Sequence, residues 1–428
     1  MSSLWCENAV VADAVRAGVR IEESGGVITS VAVAEAQPDD ILLRGLVLPG
    51  LANAHSHAFH RALRGRTHAD GGTFWTWREQ MYRVAGLLTP ENYFELATAV
   101  FAEMVLAGYT AVGEFHYVHH QPDGTPYPTP AMEDALVAAA LRAGIRLTLL
   151  DTFYPGDGVG SSGLEDGQRR FADASIEAWA ARRDSVTFNP LARIGAAIHS
   201  VRAVSPAHYE AIAAASVGLP LHAHVSEQRA ENATAVVEYG RSPVELLEPV
   251  LGPSFTAVHG THLSAHDVEL LHESVVCFCP TTERDLADGI GPARELHDAG
   301  VRLSLGSDQH AVIDPFEELR GLEMDDRLAS GERGRFTPLE LLVSATSNGY
   351  ASLGWNGGSI EVGAVCDLVA VSPTTPRTAG ASLDQLWLAA TAADVTDVVV
   401  GGVRRVTDGR HQLGDIGALL AEAIGELS

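Results

Sequence analysis

Apolar and polar positions follow two different patterns along this chain. Between residues 49 and 354, short apolar runs typical of buried strands are separated by longer segments with helical periodicity. The helical segments begin at a Thr-Pro or Ser-Pro pair and end at a glycine, as in 89–108, 129–144 and 205–218. The strand-type runs comprise one that ends at His57 and others at 110–117, 146–153, 193–199, 219–225, 255–259, 275–279 and 301–308. This alternation predicts an α/β fold, a (β/α)8 TIM-like barrel.

The two ends of the chain do not follow that alternation. Residues 1–48 and 355–428 contain short β-type runs separated by glycine turns, such as 26–33 and 398–403. We therefore expect two domains, a barrel over 49–354 and a small β-sandwich domain built from 1–48 together with 355–428.

The formal net charge of the chain is −26 at pH 7. Nucleic acids and anionic membranes bind basic surfaces, so neither is expected as a partner. A small anionic substrate would need local positive charge, which must come from arginine, because all 29 basic residues are Arg and the chain has no lysine. The absence of lysine also excludes a Schiff-base lysine, a P-loop lysine and a carboxylated lysine between two metal ions.

The cysteines and the N-terminal residues indicate the compartment. The four cysteines form no Cys-x-x-Cys motif and no plausible disulfide framework for so long a chain. The first residues lack a basic segment followed by an apolar one, and no stretch of about 20 uncharged apolar residues occurs. These features predict a cytoplasmic protein.

Histidines and acids stand at the ends of the predicted strands, where barrel enzymes place their active sites. His55 and His57 are two positions apart on the first strand, so both imidazoles can face one side and bind one ion. Taken alone, this pair is equally consistent with two half-buried surface histidines. Further candidates end the fifth, sixth and eighth strands: His222, His224, His259 and Asp308. The whole set at one barrel mouth favours a metal site.

The order His-x-His, His, His, Asp on successive strands resembles the metal-dependent amidohydrolase superfamily over nearly the whole chain. The resemblance is to its mononuclear deaminases, because the binuclear hydrolases use a lysine at the fourth strand. It implies a homodimer with one Zn²⁺ per subunit, or Fe²⁺ or another divalent ion in its place. The implied metal ligands are His55, His57, His224 and Asp308. The implied catalytic residues are Glu227, His259 and Asp308.

Within that resemblance Glu227 is the proton carrier, three positions after a ligand histidine. The alternative is a solvated carboxylate at a helix start. His222 and His262 are expected to lie beside the site without binding the metal.

Two arginines could face the barrel mouth, Arg78 in the loop after the first strand and Arg202 after the fourth. A guanidinium binds a carboxylate with two parallel hydrogen bonds, so two of them in an acidic protein suit a dicarboxylate. Residues 74–79, 113–117, 199–202 and 224–227 resemble the formimidoylglutamate deiminases, which hydrolyse N-formimino-L-glutamate to N-formyl-L-glutamate and ammonia in histidine degradation. The substrate-binding residues that this resemblance implies are His60, Arg78, Tyr117, His199 and Arg202. His60 stands where that family is expected to have a glutamine.

Other interpretations stay open at this point. Arg78 could pair with Glu79 on a surface helix, and Tyr117 could belong to the barrel core. The protein could instead be an aminohydrolase of a heteroaromatic amine such as guanine, with an aromatic pocket and neutral hydrogen-bond partners, or a non-catalytic amidohydrolase-like scaffold. A second histidine group is expected to be solvated or to support the site: His116, His119 and His120.

Overall fold

The computed structural model describes residues 2–67 and 74–427. The strands in these ranges are β1 (Ser2–Val11), β2 (Ala14–Ser24), β3 (Val27–Val33), β4 (Ile41–Pro49), β5 (Leu51–Ser56), β6 (Tyr109–His116), β7 (Arg146–Phe153), β8 (Ala192–Ser200), β9 (Leu221–Val225), β10 (Phe255–His259), β11 (Val275–Phe278), β12 (Arg302–Leu305), β13 (Leu368–Val371), β14 (Val395–Val400), β15 (Val403–Thr407) and β16 (Arg410–His411). The α-helices are α1 (Phe74–Leu87), α2 (Pro90–Ala107), α3 (Ala131–Ala143), α4 (Ile176–Asp184), α5 (Tyr209–Ala215), α6 (Arg229–Tyr239), α7 (Pro243–Leu246), α8 (Ala265–Leu270), α9 (Pro280–Asp285), α10 (Ala293–Asp298), α11 (Pro315–Ser330), α12 (Pro338–Ala345), α13 (Ser347–Ser352) and α14 (Ile416–Gly425). No helix in the described ranges is both long enough and apolar enough to cross a bilayer.

Strands β5 to β12 pair in sequence order, all of them parallel, and form a barrel. The chain after β12 reaches back to β5, because the backbone N–H groups of Ser307 and Asp308 donate to the His55 carbonyl at 3.1 and 3.0 Å. A bridge between Ser56 and Asp308 completes the circle. The predicted (β/α)8 barrel is confirmed, and the carboxyl ends of its strands meet at one mouth.

The helix start and stop signals act as predicted at two helices and differ at the third. Thr89 caps α2, and Gly108 ends it with a φ of 109°. Gly144 ends α3 with a φ of 80°, in the left-handed region that glycine adopts without strain. The third segment opens with a 3-10 turn, and its helix α5 ends at Ala215, before the expected stop at Gly218. The residues in between form a turn that leads towards β9.

Both ends of the chain contribute to one mixed sheet of eight strands, in the order β16-β15-β14-β13-β4-β1-β2-β3. Strand β4 lies between β1 and β13, so the N-terminal and C-terminal parts join near the centre of the sheet. The sheet curls over its own apolar core, because the Cys366 N–H donates to the Gly26 carbonyl and the Ile28 N–H to the Ala364 carbonyl, both at 2.8 Å. The small β unit predicted from both termini is therefore confirmed, while α14 packs against α2 of the barrel.

Candidate active site

Four side chains at the barrel mouth form a tight group of potential metal ligands. His55 and His57 lie at the end of β5, His224 on β9 and Asp308 just beyond β12, and their ligand atoms all lie within 4.8 Å of one another. The Nε2 atoms of His55 and His224 are 3.1 Å apart. Asp308 Oδ1 lies 3.4 Å from His55 Nε2 and 3.3 Å from His57 Nε2. All four side chains are buried.

The second ring nitrogen of two of these histidines decides what the group can bind. His57 Nδ1–H donates to the Phe115 carbonyl at 2.9 Å, and His224 Nδ1–H donates to the His199 carbonyl at 2.7 Å. Burial and the neighbouring His55 lower the pKa of His57 to about 3, which keeps its ring neutral. Each ring therefore presents an unprotonated Nε2, and these two atoms are 3.4 Å apart. Two lone pairs that converge in a buried site can bind one cation between them, and three imidazoles with one carboxylate suit Zn²⁺ or another divalent ion.

Glu227 lies in the turn that follows β9. Ser226, at the same turn, has a φ of 52°, a left-handed conformation that is uncommon for serine. Glu227 Oε2 accepts a hydrogen bond from Arg202 Nη2 at 2.5 Å, and Glu231 Oε2 lies 3.8 Å from Arg202 Nε. Burial raises the pKa of Glu227, but the charge of Arg202, the hydrogen bond that Arg202 donates and the nearby histidines together outweigh this effect and lower the pKa overall. The arginine predicted to bind substrate is thus paired with the predicted proton carrier.

His259, at the end of β10, is oriented by an acid that has no role in the sequence prediction. Its Nδ1–H donates to Glu283 Oε1 at 3.3 Å, while its Nε2 lies 3.8 Å from Asp308 Oδ2. Burial lowers the pKa of His259, but the hydrogen bond to Glu283 and the nearby carboxylates outweigh this and raise it to about 10. A protonated Nε2 at this place can donate a hydrogen bond to a group under attack. The only sequence signal for Glu283 is an acid in the first turn of α9.

These groups face one cavity of about 440 Å³. Every predicted site residue except His55 lines it: His57, His60, Arg78, Tyr117, His199, Arg202, His224, Glu227, His259 and Asp308. His55 is fully buried beneath the cavity lining, in contact with the other ligand residues. The fold therefore brings the predicted residues together at the barrel mouth.

The chain matches the model of the Amidohydrolase family over residues 46–405. It belongs to this family. A formimidoylglutamate deiminase from Pseudomonas aeruginosa is 38% identical to it over 436 residues, 96% of each chain. The crystal structure of an amidohydrolase from Brucella melitensis superposes with a TM-score of 0.92, at 34% identity and with 100% of both chains covered. An adenosine deaminase from Xanthomonas campestris with bound zinc gives a TM-score of 0.84 at 26% identity, over 99% of this chain and 97% of its own.

This amidohydrolase is therefore a hydrolase of carbon–nitrogen bonds, and its relatives act on different substrates. The outer wall of its cavity is aromatic and polar. Arg78 Nε donates to the Tyr82 hydroxyl at 2.8 Å, and Arg78 Nη2 lies 3.5 Å from Glu165. Gln168 Nε2 donates to the hydroxyls of Tyr82 and Tyr154 at 3.0 and 2.9 Å. The sequence analysis missed Tyr82, Tyr154 and Gln168, because they come from three separate segments that only the fold brings together.

The inner wall contains three of the predicted substrate contacts. The Nε2 atom of His60 lies 3.0 Å from the Tyr117 hydroxyl, and the rings of Tyr117 and His199 meet edge to face at 5.3 Å. Burial lowers the pKa of His60 well below its ordinary value, so the ring is neutral where a glutamine was expected. Tyr117 is buried as a core residue would be, yet it also lines the cavity.

Five further histidines that the sequence analysis named lie outside the cavity lining. The Nε2–H of His222 donates to the Ser352 carbonyl at 3.0 Å, towards α13 and away from the metal group. His262 follows β10 and is likewise absent from the residues that line the cavity. The remaining three are buried, which contradicts a solvated role for them: His116, His119 and His120.

A buried carboxylate supports the turn that carries two of the ligands. Glu114 on β6 accepts the Ala58 N–H and the Ser56 hydroxyl, both at 2.6 Å. Burial raises the pKa of Glu114 to about 8. The residue lies within the segment 113–117 that carried the family resemblance, but spacing alone assigned it no role. Its contacts show that it holds the residues on either side of His57, Ala58 by the backbone and Ser56 by the side chain.

Proposed function

We propose that this amidohydrolase catalyses the hydrolytic deimination of N-formimino-L-glutamate, with one divalent ion, zinc in preference to iron, in the four-residue metal group. The reaction consumes one water and yields N-formyl-L-glutamate and ammonia. The observation that carries the proposal is the pair Arg78 and Arg202, which line the same cavity as the metal group in a protein of net charge −26. The 38% identity to a formimidoylglutamate deiminase supports the same choice.

The side chains around the cavity account for the proton movements of such a reaction. A divalent ion held by the four ligands would lower the pKa of a water beside it to about 7 and would so supply hydroxide at neutral pH. Asp308 accepts a proton from the attacking water, and Glu227 carries a proton to the departing nitrogen. His259 Nε2–H donates a hydrogen bond to the amidine under attack and stabilises the charge that develops there. A carbon–oxygen bond forms, the carbon–nitrogen bond breaks, and ammonia leaves.

Recognition of the substrate rests on its two carboxylates. Arg78 and Arg202 each offer a planar fork that binds one carboxylate with two parallel hydrogen bonds. His60, Tyr117 and His199 border the space between the metal group and the outer wall, where the amidine and its carbon chain lie. The strongly negative surface repels anions at long range, so these local guanidinium groups provide the attraction that binding requires.

An aminohydrolase of a heteroaromatic amine is the second candidate. The structural relatives include an adenosine deaminase. Five aromatic side chains line the cavity of this chain: Trp77, Tyr82, Tyr117, Tyr154 and Phe171. Such a ring has no carboxylate for either arginine, which is why the dicarboxylic amidine is preferred.

The proposal is tested by ammonia release from the purified, zinc-loaded protein. N-formimino-L-glutamate is expected to be hydrolysed and guanine is not; release from guanine alone overturns the proposal in favour of the second candidate. Glu227→Gln is expected to retain zinc and to lose turnover by about 10²- to 10⁴-fold. The matched control is Glu210→Gln on the exposed face of α5, which should behave as wild type. Normal turnover in Glu227→Gln removes Glu227 from the mechanism, and absence of all turnover in wild type favours the scaffold interpretation.

A further inference from the structure

Arg202 contacts the proposed proton carrier Glu227 and also lines the cavity. The inference drawn from these two contacts rests on the proposed function. We propose that a substrate carboxylate displaces Glu227 from Arg202, so that only an amidine bearing that carboxylate sets the proton carrier free. Arg202 then selects the substrate during turnover in addition to binding it.

The distances show how firmly Glu227 is engaged. Arg202 Nη2 donates to Glu227 Oε2 at 2.5 Å, a short, charge-assisted hydrogen bond. Both side chains line the cavity, but that of Glu227 is 10% exposed and that of Arg202 is 30% exposed, so Arg202 is the more accessible partner. An incoming carboxylate therefore reaches the arginine directly.

Glu231 explains why Glu227 is the group that yields. The Glu231 carboxylate accepts the backbone N–H groups of Ser226 and Glu227 at 3.2 and 3.3 Å, and its Oε2 lies 3.8 Å from Arg202 Nε. These bonds hold Glu231 in place. A substrate carboxylate at Arg202 would put three negative groups around one guanidinium, and like charges in a poorly solvated site repel strongly. Among the contacts described for these two acids, the Glu227 carboxylate is held by Arg202 and the Glu231 carboxylate by backbone N–H groups, so Glu227 leaves.

The exchange makes turnover depend on the substrate's charge. A neutral or heteroaromatic amine that enters the cavity leaves Glu227 paired with Arg202, with its oxygen turned to the guanidinium. A dicarboxylic amidine takes over the guanidinium and frees the same oxygen for proton transfer. Discrimination therefore appears in kcat as well as in KM.

The first test compares zinc-loaded wild type with Arg202→Met on three amidines: N-formimino-L-glutamate, N-formiminoglycine, which lacks the side-chain carboxylate, and 4-(formimino)aminobutyrate, which lacks the α-carboxylate. Arg202→Met should lower kcat/KM for the dicarboxylate on the order of 100-fold. It should raise kcat by about fivefold for the amidine that lacks the carboxylate Arg202 binds, because no guanidinium then competes for Glu227. Arg78→Met is the matched control, because the contacts described for Arg78 are with Tyr82 and Glu165. This variant should raise kcat for neither truncated amidine.

The second test measures binding without turnover. Calorimetric titration of the zinc-loaded protein with glutarate, a plain dicarboxylate, should show about tenfold tighter binding in Glu227→Gln than in wild type, because glutarate no longer competes with a charged partner of Arg202. Adding Arg202→Met should abolish that gain, and Glu210→Gln should not produce it. The proposal requires both results: no rise in kcat for either truncated amidine, or no gain in glutarate affinity, overturns it. Failure of wild type to release ammonia from N-formimino-L-glutamate is a separate outcome that overturns the proposed function, whereas the glutarate titration still decides on the exchange.

Discussion

Among the buried groups of the described residues that have the ligand types of a metal site, two contain more than one histidine, and these two clusters differ in what their ring nitrogens face. In each of them the candidate ligand atoms lie within 4.8 Å of one another: His55, His57, His224 and Asp308 in the first, and His116, His119 and Glu133 in the second. In the first cluster the Nδ1–H groups of two rings donate to backbone carbonyls, which leaves unprotonated Nε2 atoms facing each other. That cluster is arranged to bind a cation.

The second cluster already contains its positive charge. Arg182 Nη1 lies 2.7 Å from Glu133 and 2.6 Å from Asp151, and Nη2 lies 2.7 Å from Asp173. His119 Nδ1 is 2.8 Å from Glu133 Oε1 and its Nε2 is 2.9 Å from the Thr152 carbonyl. Both partners are acceptors, so the two ring nitrogens of His119 point at Glu133 and at the Thr152 carbonyl and not at a shared position for an ion. Burial and the charge of Arg182 also lower the pKa of His119. Proximity of ligand types is therefore a weaker criterion for a metal site than the direction of their lone pairs.

The largest expected difference between the clusters follows from removing one ligand. His224→Ala should reduce bound metal, measured by elemental analysis, to a small fraction of one ion per chain, and should lower deimination on the order of 10³-fold or more. His119→Ala is the matched control in the second cluster and should keep one ion per chain. Two ions per wild-type chain, or loss of metal in His119→Ala, would show that the second cluster also binds metal.

Removing the internal cation should affect stability instead of metal content. Arg182→Met leaves three buried carboxylates without their counter-charge and should lower the free energy of unfolding by about 3–5 kcal/mol, measured by denaturant titration. The control is Arg169→Met, whose ion pair with Asp166 is exposed at the surface and contributes little. An unchanged unfolding midpoint in Arg182→Met would mean that this network does not stabilise the fold.

Chelation of the bound ion distinguishes the two clusters by a change in thermal stability. Metal removal should lower the melting temperature of wild type, because an ion present at about 100–1,000 times its Kd stabilises the folded state by about 3–4 kcal/mol. His119→Ala should respond to the chelator as wild type does, and His224→Ala should not respond. Equal responses of the two variants would contradict the assignment of the ion to the first cluster.

The smallest expected effect concerns the support of the first cluster. Because the pKa of Glu114 is raised from 4.5 to about 8, the folded state binds a proton there more tightly than the unfolded state, and the wild type loses stability as pH rises through that window. Glu114→Gln removes this dependence and keeps an oxygen that can accept the Ala58 N–H. Its free energy of unfolding relative to wild type should therefore increase on the order of 1–2 kcal/mol between pH 7 and pH 9. Parallel pH curves for the two proteins would show that Glu114 is not protonated in the fold.

Much of the architecture and of the site could be predicted because the relevant signals are local. A Thr-Pro pair at the start and a glycine at the end mark both α2 and α3. The two-residue spacing that places His55 and His57 on one side depends only on the pleat of a strand. The end of β12 was less predictable. The strand stops at Leu305, because the next residues turn to hydrogen-bond with β5, a partner about 250 positions away.

The sequence by itself determined the barrel, the composite terminal sheet and the residue types gathered at the mouth, because strand period, helix caps and ligand order are written in neighbouring positions. The tertiary structure alone decided which imidazoles present lone pairs, that Arg202 holds Glu227, and that Glu283 and Glu114 orient the groups around the potential metal ligands. Those outcomes depend on contacts between segments far apart in the chain. Proton positions and ion pairs are set by distances and directions of a few tenths of an ångström, and residue spacing along a sequence does not encode them.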